Sequence, residues 1–260
     1  GLYRAVLAEV PGHAGGRAGM TALLENAQCR PAAVKLLLDA FETTGDWAGR
    51  LSLLEHRLEL AKGPTSRTDL LREAADLFEQ KKGDPAAALA ALARALPLAP
   101  EDTAIEQRML SLADATGAHA VAARALGEAV LAGPQATRAA DLHERRGALV
   151  EAHLHDPAGA LEAYLAAFAL APERPATAAA VVRVATREEQ WDVAAQAVVT
   201  SARARKTFSA SLLGAFEGAA AQASAWDAAA RELAEAVEAD ADLPAAIAGL
   251  LVTLAAGGRS

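Results

Sequence analysis

Six histidines, one cysteine and a scatter of carboxylates are the groups in this 260-residue sequence that could ligate a metal or move a proton. His143, His153 and His155 lie close enough together to suggest a metal site, but on one helix His153 and His155 would point to different sides. No Cys, Asp or Glu completes a recognised ligand spacing around them. Gly12, Gly15, Gly16 and Gly19 form a glycine-rich segment of the kind that can cradle phosphate. It lacks the following Gly-Lys-Ser or Gly-Lys-Thr and a preceding strand, so it reads as an irregular turn or a weak helix. His-Glu-x-x-His and Gly-x-Ser-x-Gly are both missing, and the acidic pair Glu188-Glu189 reads as a solvated turn. No enzymatic activity, metal or cofactor is expected.

The elements that carry these residues are expected to be helices. The sequence is 53% hydrophobic but only 4% aromatic, the balance being largely alanine and leucine. Alanine loses no side-chain entropy on entering a helix, and its methyl lets neighbouring backbones approach closely. Residues that favour strands are correspondingly scarce. The formal net charge of -8 argues against a dedicated nucleic-acid surface, which needs clustered Lys and Arg. The nearest basic run, Arg203, Arg205 and Lys206, reads as a solvated helix end. Cys29 has no internal partner for a disulfide, so no oxidising compartment is required. No stretch of eighteen uncharged apolar residues occurs, and no membrane insertion is expected. These features suit a cytoplasmic protein, and high alanine and arginine with few lysines suits a GC-rich bacterial genome.

Sliding the sequence against itself gives the strongest signal. At a shift of 72 residues Gly45 meets Gly117, Asp84-Pro85 meets Asp156-Pro157, and Pro100 meets Pro172; a further shift carries Trp47 through His119 to Trp191. A period of that length suits two helical hairpins. Turn signals at Gly63-Pro64, Gly83-Asp84-Pro85, Pro97 to Pro100 and Gly117 divide one period into four helical stretches. Aspartate followed by proline is a helix start, because the carboxylate caps free N–H groups and proline needs no partner in the first turn.

These residues resemble the tetratricopeptide repeat family in degenerate form. Ala88, Leu92, Ala95 and Pro100 have the spacing of the second helix of such a repeat, as do Ala160, Tyr164, Ala167 and Pro172. Tyr3, Val6 and Pro11 keep its last three positions; Ala229, Leu233 and Ala236 keep its first three. In the first helix Gly147 and Val150, like Ala75 and Phe78, keep the small-then-large spacing, but the turn that follows is one residue too long. The resemblance implies an all-α, right-handed superhelix of stacked antiparallel hairpins over residues 1–260, with a 72-residue double-hairpin period. Leu2 to Pro11 reads as the tail of one hairpin and Ala245 to Ala255 as the first helix of another. A fragment of a longer protein, or self-association through exposed terminal repeats, is therefore expected.

A scaffold of this family implies a peptide or helix of a partner protein bound on a concave groove, through exposed residues of the first helices. Arg72, Asp76, Arg138, Arg145 and Arg146 are the expected contacts. The subtype that clamps a C-terminal carboxylate uses asparagine from those helices, whereas the single asparagine, Asn26, lies outside them. Trp47, Trp191 and Trp226, each at the start of a second helix, are expected to pack between hairpins. A regulatory or spacer module of a larger signalling or enzymatic protein is the alternative to a binding scaffold.

Overall fold

The computed structural model describes residues 2–207 and 209–257. Those residues contain sixteen α-helices and no strand. In chain order they are α1 (Leu2–Glu9), α2 (Ala14–Ala22), α3 (Arg30–Thr43), α4 (Trp47–Ser52), α5 (Leu54–Leu60), α6 (Gly63–Leu77), α7 (Pro85–Ala95), α8 (Thr103–Thr116), α9 (His119–Leu131), α10 (Ala136–Leu149), α11 (Pro157–Leu170), α12 (Pro175–Arg187), α13 (Trp191–Arg205), α14 (Ala210–Gln222), α15 (Trp226–Ala239) and α16 (Ala245–Gly257). The chain divides into two compact units, Gly1–Ala132 and Gly133–Ser260. In the first, α7 packs against α6, α8 and α9; in the second, α12 packs against α11, α13 and α14, and α13 also packs against α15.

Helix starts follow the capping chemistry. Asp84 Oδ1 accepts a hydrogen bond from the N–H of Ala87, and Asp156 Oδ1 from that of Gly159, both at 2.9 Å. Asp46 and Asp102 do the same for α4 and α8. Gly15, Gly16 and Gly19 are helical: they lie in α2, whose N-cap is His13, with its ring Nδ1 accepting from the N–H of Gly16. Two of its glycines serve packing: a Cβ on Gly19 would lie 2.5 Å from the Tyr3 ring, and one on Gly16 3.1 Å from Leu7.

The spacing of small and large residues sits where the helices meet. Ala88, Leu92 and Ala95 are buried, as are Ala160, Tyr164 and Ala167. Gly147 of α10 leaves room for Tyr164 of α11, whose ring would be 2.8 Å from an added Cβ. Small residues thus let paired helices come close while large ones fill the remaining space. The extra residue in the turn after each first helix is absorbed by a π-helical turn, at Phe78–Lys82 and again at Val150–Leu154. Each is followed by a left-handed residue, Gly83 and then His155. His155 therefore lies beyond the helical turn that holds His153, rather than on one helix with it.

Starts of α7 and α11, of α8 and α12, and of α9 and α13 are each separated by 72 positions. The tryptophans at this place fill space between helices: Trp191 is buried and meets Phe216 edge to face at 6.1 Å. Trp47 and Trp226 are half-buried. His119 takes the equivalent position in α9, with its Nε2 3.2 Å from Asp114 Oδ1.

Candidate functional site

The charged residues of the first helices are arranged chiefly to join one helix to another. Arg72 of α6 reaches Asp102 at 3.1 Å, and Asp76, one turn along, accepts from Arg108 of α8 at 2.6 Å. Arg108 also bonds Glu79 at 2.8 Å. Arg72 and Asp76 therefore share a face of α6 that is turned toward α8. In the second unit Arg138, Arg145 and Arg146 all lie on α10 but in different surroundings. Arg138 is buried, Arg145 is exposed and lines a cavity of about 410 Å³ with Asp141, Glu144 and Ala148, and Arg146 is half-buried. Burial lowers the His143 pKa, and the positive charge of Arg146 lowers it further. Within the second unit the three arginines of α10 thus do not share one environment.

A different cluster lies one period after the Glu79 bridge. Glu151, in the second π-helical turn, accepts from the two terminal guanidinium nitrogens of Arg183 and from Arg187, and Tyr164 Oη donates to it at 3.2 Å. Its side chain is only 13% exposed. The Arg183 hydrogen bond holds its pKa below the usual carboxylate value despite the opposing effect of burial. Burial, with the adjacent Glu151 charge, raises the Tyr164 pKa.

Beyond Arg183 and Arg187 lies an open cleft of about 830 Å³ along α12 and α14. Ala176, Ala179 and Ala180 line one side, Gly214, Ala215 and Gly218 the other, with Arg183, Arg187, Glu189 and Gln222 toward one end. Gly214 and Gly218 have ordinary negative φ, and a Cβ on either would meet nothing within 4 Å. Glycine in a helix interior costs roughly 0.5–1 kcal/mol relative to alanine. Contacts within the chain give no reason to accept that cost. The cleft can receive an uncharged backbone or small side chains at close approach. Sequence reasoning missed it, although Gly214, Gly218 and Gln222 recur every fourth residue and Arg183 and Arg187 share that spacing.

The chain is an all-helical protein whose neighbouring helices pack in chain order within each unit. No family model matches it, and no curated protein matches it. No helix among the described residues is long and apolar enough to cross a membrane.

Proposed function

We propose that this chain is a protein-interaction scaffold of the tetratricopeptide-like, right-handed superhelical kind, which binds a peptide or helix of a partner protein and carries out no chemistry itself. The observation that supports it is the cleft between α12 and α14, whose two exposed glycines leave space that none of the described residues uses. A helix or extended peptide can lie against such a floor with its backbone close to both helices, and groove binding of this kind takes its affinity from buried contact along the length.

The test places a photocrosslinking side chain at Ala215, inside the cleft, and at Leu131, which is exposed in the other unit. Cell extract should yield a discrete protein crosslinked from position 215 and not from 131. Gly218→Trp, which fills the cleft, should reduce that product about tenfold, equivalent to about 1.4 kcal/mol of binding. Equal crosslinking in the filled variant would exclude the cleft as the binding surface.

A further inference from the structure

We infer, resting on the reading of the cleft between α12 and α14 as the binding surface, that its occupant is a helix with a small, uncharged contacting face and a lysine or arginine at the end beside Glu189.

Conformation follows from the floor. Ala179, Ala180, Gly214, Ala215 and Gly218 offer only methyl and methylene groups, and the backbone polar groups of helix interiors are already bonded within the helix. An extended peptide would bury its own N–H and C=O groups there without partners, each at the cost of a lost hydrogen bond. A helix satisfies them internally. From Gly214 to Gln222 the α14 side of the cleft runs for about 12 Å, roughly two helical turns. A charge on the inner face of the guest would meet only alanine and glycine along that floor, so its contacting residues must be neutral.

Charge follows from which groups at the end of the cleft are already engaged. Arg183 is held by Glu151 through two hydrogen bonds, and Arg187 lies 3.3 Å from the same carboxylate and 3.6 Å from Glu188. Among the described residues Glu189 bonds only through its backbone N–H, which donates to the Thr186 carbonyl at 3.2 Å; its exposed carboxylate has no partner. Two guanidinium groups and three carboxylates therefore meet at this end, and the charge left over is negative. A cationic group on the occupant complements it.

The backbone points the same way. Gly117 and Gly45 occupy the corresponding turns one and two periods earlier, with left-handed backbone at φ 70° and 65°, and Glu189 shares that conformation at φ 57°. A residue with a side chain is strained there, and such strain gathers where ligands bind.

The probes are two blocked, alanine-rich helical peptides of equal length, one with lysines confined to its last turn and the other with glutamates in their place. Each is titrated into the full chain, isotope-labelled at glycine, and the amide signals of Gly214 and Gly218 report binding on the floor. At low ionic strength the lysine peptide should bind about fivefold more tightly, the scale of one exposed attraction gained and one repulsion avoided. Glu189→Gln should bring the two affinities together, and Glu189→Lys should reverse the preference. Signals of the remaining glycines show that each variant is folded, and comparing one pair of peptides on every protein removes the effect of their own helicity. Equal binding of both peptides to the wild-type chain, a preference that Glu189→Lys leaves unchanged, or no shift at Gly214 and Gly218 with either peptide overturns the inference. The crosslink from position 215 stands or falls separately, so a failed charge preference is distinguished from a cleft that binds no protein.

Discussion

Glu151 shows how a single side chain joins three helices. Arg183 and Arg187 come from α12, Tyr164 from α11, and the carboxylate itself closes the turn after α10. Its pKa lies below the ordinary 4.5, with the Arg183 hydrogen bond as the largest cause, so the folded state favours the charged form more than the unfolded chain does. The resulting stability is complete above pH 4.5 and is lost as acid carries the group through its lowered folded value. Glu151→Gln should therefore cost about 1 kcal/mol at pH 7, a figure discounted because both arginines are half exposed. Urea midpoints measured from about pH 7 to about pH 3 should show that gap constant above about pH 5 and narrowing below it; a gap independent of pH would mean the carboxylate charge contributes nothing. Residue types alone did not reveal this arrangement. Arg72, Asp76 and Arg108 read equally well as surface charges, because a partner some thirty residues away is visible only once the stacking of helices is known.

Helices and turns were far more legible. Asp-Pro starts, the buried alanines and the 72-residue offset all follow from local chemistry that repeats along the chain. The π-helical turns were visible only as a turn one residue too long, since nothing in Phe78 to Lys82 favours that winding over an ordinary loop. Turn conformation also shows where the repeats have diverged. Gly45 and Gly117 hold left-handed backbone at φ 65° and 70°, and the equivalent residue one period on is Glu189, at φ 57°. A side chain in that region costs roughly 1–2 kcal/mol, partly offset by the greater freedom glycine has when unfolded. Glu189 is exposed, so removing its side chain sacrifices no packing. Glu189→Gly should stabilise the chain by about 0.5–1 kcal/mol, a rise of a few degrees in melting temperature. A lower melting temperature would show that the glutamate makes a favourable contribution larger than the backbone strain.

At the scale of the molecule, each unit encloses its own apolar residues. In the first, Leu7, Met20, Leu24, Val34, Leu37, Phe41 and Leu53 form one continuous core, and Leu89, Leu92, Met109 and Leu126 are fully buried further along. In the second, Val181, Val182, Val199, Phe216 and Leu233 are buried in the same way. Stability in arrays of helix pairs comes mainly from contacts between neighbours, so a break at one junction leaves the remaining contacts intact. The division falls at Gly133, whose left-handed backbone at φ 78° and following proline end one helix and delay the next. Separate expression of residues 1–132 and 133–260 should therefore give two helical proteins, each with a far-ultraviolet circular dichroism spectrum of folded helix and a single cooperative thermal transition. Calorimetry decides between the possibilities, because a folded fragment gives a heat-absorption peak and an unfolded one gives none. A fragment that is helical but melts without such a peak would lack a fixed core, and its buried residues would need the other half of the chain to order them.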